Sequence, residues 1–337
     1  MIEIDGSYLE GGGQILRTAV ALSAITGDPI RIHNIRANRP QAGLKAQHLA
    51  AIKAVAELYD ARLEGAEIGA TEITFAPKSL YRKNLDVRIE TAGSVGLLLQ
   101  TIFLSCASSK ERVKINISGG GTFGKWAPSV YYLKYVFLPV MRNFGFDAKI
   151  GILKHGFYPK GGAEVTAEIF PSSLRGHVFK REISSIKGIS IATENLRNPK
   201  VAERQKMKAE EILREIGLPV EIKTEYVPAL STGSAIELWT EPETLGANAL
   251  GELGKPAEKV GQEAAIELKK LISSKSHVDG NMADQILPFM ALAKGASSFH
   301  CHELSNHAKT NIWVIEKFVE RKFKVLHKGD MFEVGLS

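Results

Sequence analysis

Cysteine is scarce: Cys106 and Cys301 are the only two in 337 residues. Both stand in apolar surroundings without metal-like spacing. That excludes a disulfide framework and a cysteine-rich zinc site, and predicts buried, reduced thiols in a cytosolic protein. Long apolar runs are also missing. The longest, such as Val95 to Cys106, are too short and too interrupted to span a bilayer, so no membrane partner is expected. Met1-Ile2-Glu3-Ile4-Asp5 has neither the basic nor the apolar region of a signal peptide. No sign of charge dominates. Lys and Arg number 43 against 37 Asp and Glu, for a net +6, which by itself is only weak support for an anionic partner. With 44% hydrophobic and 24% charged residues, the chain reads as a soluble globular enzyme, long enough for two domains.

What is abundant is glycine, 31 residues, many in clusters, and the apolar pattern repeats. Three segments share one order: a Gln, an apolar helix of three to four turns, a break, then a strand. They are Gln14 to Ile25 with Pro29 to Ile35, Gln100 to Ala107 with Arg112 to Ser118, and Gln285 to Ala293 with Ser297 to Leu304. A second helix follows each strand: Leu44 to Tyr59, Pro128 to Phe144 and Ala308 to Arg321. Strand pairs close the units, as Arg62 to Leu63 with Glu72 to Phe75, and Phe323 to Leu326 with Met331 to Val334. The expected fold is α+β: three two-helix-on-four-stranded-sheet units in a large domain, residues 1–182 and 278–337. Residues 183–277 read as a small inserted α/β domain. Its elements are a strand at Lys187 to Thr193, a helix at Pro199 to Ile216, strands at Val220 to Tyr226 and Ser234 to Thr240, and a helix at Pro256 to Ile272.

Several clusters could carry chemistry. Glu10-Gly11-Gly12-Gly13-Gln14 with Arg17 places glycines ahead of a helix, where backbone N–H groups and the helix dipole favour a phosphate. No Gly-Lys-Ser/Thr follows, so it is not a P-loop, and a flexible turn fits it equally well. Arg36 to His48 packs Arg36, Arg39, Lys45, Gln47 and His48 into one loop and helix start. The density of planar donors favours a clamp for phosphates or a nucleic acid backbone over a merely solvated loop. Gly119-Gly120-Gly121 and Gly161-Gly162 adjoin strands, and the second is best read as a hairpin device. Phe123 to Pro128 offers a ring and a cation that could stack on a base, or an ordinary interface Trp.

Phe299 to Asn311 is the most informative stretch. His300 and His302 alternate along a strand, but no third ligand has metal spacing. His307 stands at a helix start behind Ser305 and Asn306, both capping residues. The positive helix end disfavours imidazolium, leaving a neutral, nucleophilic ring. The same dipole stabilises phosphate charge building beside it.

With those residues together, the chain resembles the RNA 3′-terminal phosphate cyclase family from Ile4 to its C-terminus. The carriers are Asp5-Gly6, Glu10 to Arg17, Arg36 to Gly43, Gln47-His48 and Gln100. Further on come His155-Gly156-Phe157-Tyr158-Pro159 with Gly161-Gly162, Ala283-Asp284-Gln285, and His307 to Asn311. The resemblance implies an insert resembling thioredoxin and an ATP-dependent, three-step conversion of an RNA 3′-phosphate to a 2′,3′-cyclic phosphate. His307 takes AMP from ATP and passes it to the RNA 3′-phosphate. The vicinal 2′-OH then closes the ring. The resemblance implies nucleotide binding at Gln100 and at Asn281, Met282, Ala283, Asp284 and Gln285. It implies phosphate or RNA-end binding at Arg17, Arg36, Arg39, Gln47 and His48, and a divalent cation, Mg²⁺ or Mn²⁺, at Glu10. It also suggests a homodimer. Asn281 stands where family members often carry an aromatic that can stack on adenine, so the likeness does not carry that contact over. The rival readings are a non-catalytic cyclase-like protein of ribosome assembly, which would lack the nucleophilic histidine, an enolpyruvyl-transferase-like enzyme, and a plain RNA-binding module.

Overall fold

A computed structural model describes residues 1–337. The fold is α+β, with three mixed four-stranded sheets and one smaller antiparallel sheet. The first sheet joins β1 (Ile2–Asp5), β2 (Ile30–His33), β3 (Arg62–Glu64) and β4 (Ile73–Ala76) in the order β1-β2-β4-β3. β1 and β2 run parallel, with Ile4 opposite Ile32, and the other pairs are antiparallel. The alternation that made these segments legible is also what buries them. Ile4, Ile30, Ile32, Ile73 and Phe75 all face the core.

β5 (Asn84–Ser94), β6 (Val113–Gly121), β7 (Ala148–Lys154) and β8 (Glu164–Ile169) repeat that order as β5-β6-β8-β7. β5 was missed in the sequence reading, although Leu85, Val87 and Ile89 alternate plainly with exposed neighbours. β9 (Ile183–Thr193), β10 (Val220–Val227), β11 (Ser234–Pro242) and β12 (Gly246–Leu250) form a sheet of order β10-β9-β11-β12.

The last sheet, β13 (Ser297–Cys301), β14 (Lys324–Lys328) and β15 (Met331–Leu336), has order β13-β15-β14 and three strands, where four were expected. The missing partner is traceable. Residues 175–179 run parallel to β13 but make only isolated bridges, Arg175 to Lys294 and Val178 to Ser298. Three steps along one chain match four along the other, so the register slips by one residue. The His177 N–H turns to the Ser297 hydroxyl (3.2 Å) instead of a backbone carbonyl. A ladder interrupted in this way does not propagate as a strand.

Helix α1 (Gly13–Thr26) is buried on nearly every side and packs against α2 (Ala46–Leu58), α3 (Val95–Ser105) and the late helix Asn306–Ile315. Its alanines allow that crowding, and Gly27, at φ 80°, ends it with its N–H on the Ser23 carbonyl. Residues 130–143 form one helical run, α4 (Val130–Tyr132), a π-helical stretch Leu133–Phe137, and α5 (Leu138–Asn143). On the β9–β12 sheet lie α6 (Val201–Leu213) and α7 (Ala257–Ser273). Next come α8 (Gly280–Gln285), α9 (Leu287–Leu292) and α10 (Asn306–Ile315). α8 begins five residues before the expected helix start, because Asp279 caps it by accepting from the Asn281 and Met282 N–H groups.

A core of 71 residues is drawn from residues 4–179 and 278–336, with Trp239 the one outside contributor. A separate core of 13 residues lies within 186–268. A third, of Phe123, Tyr131, Phe157, Ile191, Val227 and Ala235, joins the two. Cys106 and Cys301 are buried free thiols. No helix is long and apolar enough to cross a membrane.

Candidate active site

The packing of α1 against α10 brings the start of both helices together, although they are nearly three hundred residues apart in sequence. Side chains lock the arrangement. The Thr18 hydroxyl donates to Asn311 Oδ1 (2.8 Å), and Asn311 Nδ2 donates to the Asp284 carbonyl (2.8 Å). Gln14 Nε2 reaches both Asp284 Oδ2 (3.5 Å) and the His307 carbonyl (3.4 Å). α1, α8 and α10 are thus fastened at one corner.

His307 is the second residue of α10, whose cap is Ser305. The Ser305 hydroxyl accepts from the Ala308 N–H (3.1 Å). The ring is 46% exposed, and its Nδ1 lies 3.0 Å from Glu10 Oε2. A carboxylate accepts and cannot donate, so Nδ1 carries the proton and Nε2 keeps its lone pair. Burial holds the ring's pKa below the ordinary 6.5. Glu10 pulls it up, and Arg17 and Arg39 push it down. The net direction leaves a neutral imidazole at pH 7 with its free nitrogen fixed by the Glu10 contact.

Around it stands a set of unspent donors. α1 has Gly12 as its cap residue and no side chain capping it, so its first N–H groups are open. Gly13 must be glycine, because a Cβ there would fall 2.1 Å from His48 Nε2. His48 is buried at 4% exposure, and its Nδ1 accepts from the Lys45 N–H (3.3 Å). Burial, with Arg17, Arg36 and Lys45 nearby, lowers its pKa to about 3. It is therefore a neutral ring whose remaining proton, on Nε2, points at the start of α1. Arg17 is half-buried and makes no ion pair. Burial lowers its pKa to about 10, with Asp284 opposing. Arg39 Nη2 lies against Gly12 and reaches Glu10 Oε2 at 3.4 Å. Asp284 is pushed up to about 8 by burial, against the pull of Arg17. Gln14 Oε1, Gln285 Oε1 and Thr310 Oγ1 are buried without partners, a cost that a bound ligand or water must offset.

The structure therefore gathers Glu10, Arg17, Arg39, His48, Asp284 and His307 from four separate stretches of chain. The other expected residues are placed differently. Arg36 spends its guanidinium on its own loop, donating to the Gln41 (2.7 Å) and Gly43 (3.0 Å) carbonyls. Gln47 turns toward the start of α3, where its Oε1 accepts from the Ser94 N–H (3.5 Å). Gln100 is half-buried on α3 without a hydrogen-bonded side chain. Met282 and Ala283 are sealed in the core at 0% and 1% exposure, so only their backbone could meet a nucleotide. Asn281 is exposed at the start of α8.

Comparison with known proteins supplies the family. The sequence model described as RNA 3′-terminal phosphate cyclase matches residues 8–325. The chain belongs to the RNA 3′-terminal phosphate cyclase family. The chain is 47% identical to the RNA 3′-terminal phosphate cyclase of Methanosarcina barkeri over 337 residues, all of both chains. It is 46% identical to that of Pyrococcus furiosus, covering 99% of this chain and 97% of the relative. It is also 46% identical to that of Archaeoglobus fulgidus, over 96% and 97% respectively. The family's matched span takes in Glu10 through His307, so every element of the gathered site lies inside it.

Two groups that shape this candidate site escape a reading of the sequence. Asp279 was legible as a capping residue ahead of Met282-Ala283, a signal that was overlooked. The stack of Tyr8 on Trp313, with centroids 4.1 Å apart and planes 11° from parallel, holds the Glu10 loop against α10. No sequence pattern announces a pair so distant along the chain.

Proposed function

We propose that this chain converts RNA 3′-phosphate ends to 2′,3′-cyclic phosphates at the expense of ATP, with His307 as the nucleophile. The observation that carries the reading is the His307–Glu10 contact. It leaves Nε2 as a lone pair beside the open start of α1 and the unpaired Arg17.

In the first step Nε2 attacks the α-phosphorus, the N–P bond forms, and pyrophosphate leaves. Positive charge that grows on the ring is met by the Glu10 carboxylate at Nδ1. Arg17, the first N–H groups of α1 and His48 Nε2–H would hold phosphoryl oxygens. A monoester dianion is a poor electrophile, so the RNA 3′-phosphate next takes AMP from His307 and the N–P bond breaks. The vicinal 2′-OH then attacks the 3′-phosphorus, losing its proton, and AMP departs. Arg39 and His48 would bind the RNA end, and Gln47 would join them by leaving the Ser94 N–H. Asp284, Gln285 and Gln100 would hold the nucleotide, with the unpartnered Gln285 Oε1 as one waiting acceptor.

No three acidic, His or Cys side chains converge to make a metal cage. Glu10 Oε2 takes both His307 and Arg39, leaving Oε1 without a partner. One free carboxylate oxygen suits a hard cation that is otherwise held by phosphates and water. Such a cation, Mg²⁺ or Mn²⁺, would neutralise phosphate charge there.

The fold reading belongs to the same proposal. Residues 1–182 and 278–337 would be one catalytic domain of three repeats, and 183–277 a thioredoxin-like insert. The recurring strand order and the separate cores support this. The buried thiols, pushed up to about 12 at Cys106 and about 11 at Cys301, suit a cytoplasmic enzyme. Family likeness is the support for a homodimer.

The test is incubation with ATP labelled at the α-phosphate. Label should remain on the protein until RNA 3′-phosphate ends are added, when it should be discharged as labelled AMP while the ends become resistant to phosphatase. His307→Ala should abolish labelling. Because the ring is 46% exposed, melting should change little. Near-normal cyclisation by His307→Ala would overturn the mechanism. Label that never joins wild-type protein would favour the non-catalytic or enolpyruvyl-transferase readings.

A further inference from the structure

The segment His155 to Gly162 has no part in the chemistry above, yet it is built with unusual care. Phe157 is buried, stacked on Phe123 with centroids 5.7 Å apart, and pressed against Gly233. His155 Nε2 pairs with the Tyr131 hydroxyl at 3.0 Å. The Lys160 N–H donates to Ser231 Oγ (3.1 Å), and the Gly161 N–H to the Phe157 carbonyl (2.8 Å). A loop gripped this firmly nevertheless presents Tyr158 to solvent, 81% exposed. Lys160 beside it is exposed and has no ion-pair partner.

The neighbouring turn does the same. Phe123 is buried in the stack, while Trp126 is 97% exposed at φ +57°. A bulky side chain in the left-handed region costs backbone energy, and full exposure brings no packing in return. Lys125 anchors that turn on Glu252 at 2.9 Å.

Packed backbone ties the loop to α2, the helix that carries Gln47 and His48. Gln47, on the RNA-end side, touches Gly93: a Cβ there would lie 3.2 Å from Gln47 Cβ. Gly120 meets the Gly93 carbonyl in the same way at 2.8 Å. Gly161 meets the Gly120 carbonyl at 2.8 Å and Ala92 Cα at 3.1 Å. Gly120 and Gly161 are buried, so these contacts form a packed seam that fixes the Tyr158 loop relative to α2, and the Thr122 N–H on the Gly156 carbonyl (2.9 Å) joins the turn of Trp126 to the same loop.

We propose that Tyr158 is a stacking platform for a base of the RNA strand upstream of the reacting 3′ end, with Trp126 extending the same strip and Lys160 beside a backbone phosphate. This rests on the cyclase reading. A rigid, exposed ring beside a free cation suits single-stranded nucleic acid, because every base has a face to stack and stacking needs no sequence. It also gives the enzyme a grip on the strand that leaves the end's own phosphate to Arg39 and His48.

The test compares dinucleotide and octanucleotide RNAs ending in a 3′-phosphate. Wild type should prefer the octamer. Tyr158→Ala should raise KM for the octamer roughly 5- to 100-fold, while leaving enzyme–AMP formation and dinucleotide cyclisation unchanged. Tyr158→Phe should keep the preference, and Trp126 fluorescence should change on adding the octamer but not the dinucleotide. An unchanged octamer KM in Tyr158→Ala overturns the proposal, as does an equal rise for both lengths. So does a change of oligomeric mass in Trp126→Ala with unaltered KM, which would make the strip a contact between copies. Failure of wild type to take AMP from ATP appears before any variant is made. It would bring down the cyclase reading itself, and this proposal with it.

Discussion

Replacing Glu10 by Gln isolates the charge beside the nucleophile. The amide oxygen can still accept from His307 Nδ1–H, so the tautomer survives while the negative charge is lost. When Nε2 bonds to phosphorus, the ring becomes cationic. A unit charge 3.0 Å away stabilises it by roughly 1.4 kcal/mol in a water-like medium and about 5.5 at an effective dielectric of 20. The ring is 46% and the carboxylate 31% exposed, so the lower half of that range applies. A loss of about 1.5–3 kcal/mol is a ten- to hundredfold slower adenylylation. The pH profile carries a second sign. Only the neutral ring attacks, so the rate climbs as pH rises through its pKa. Glu10 raises that pKa, so its loss should move the acid limb to lower pH. The assay is single-turnover formation of labelled enzyme from α-labelled ATP, without RNA, from about pH 5 to about pH 9. A rate within twofold of wild type, or an acid limb displaced upward, refutes the reasoning. A loss repaired simply by more Mg²⁺, with the limb unmoved, would assign Glu10 to the cation alone.

Arg39→Ala should raise KM for RNA ends about 10- to 100-fold, the worth of one charge-assisted phosphate contact, with a smaller effect on self-adenylylation. Because Arg39 pushes the His307 pKa down, its removal should move the acid limb upward, opposite to Glu10→Gln. Equal losses in both assays would remove Arg39 from the RNA end. Glu237 tests the join between the β9–β12 sheet and the rest. It is fully buried, accepts from Ser129 Oγ (2.5 Å) through Oε2, and has no partner at Oε1. Burial raises its pKa from 4.5 to about 8, so its contribution to stability is whole below about pH 4.5 and declines as pH rises through 8. Glu237→Gln does not titrate. Its melting temperature relative to wild type should therefore climb by at least about 2 °C between pH 6 and 8, and a flat difference would show that the carboxyl stays ionised at no cost.

The apolar periodicity was enough to place α1, α2, β2, β4, β6 and β13 to within a few residues, because buried apolar positions dictate each of them. The motif at His307 to Asn311 was enough to nominate a nucleophile at a helix start. Sequence could not say that Met282 and Ala283, inside the same motif as Asp284, are core residues. Helical geometry alternates faces, and only the packed neighbours decide which one is inside. It could not separate Arg36 from Arg39 either. One guanidinium closes its own loop and the other reaches Glu10, and that choice is made by where the 36–43 loop folds back on Gly12. Nor could it place Glu10 against His307, which fixes the proton on Nδ1. Local pattern acts over a turn or two of chain, whereas that contact exists only because α1 and α10 pack together across 297 positions.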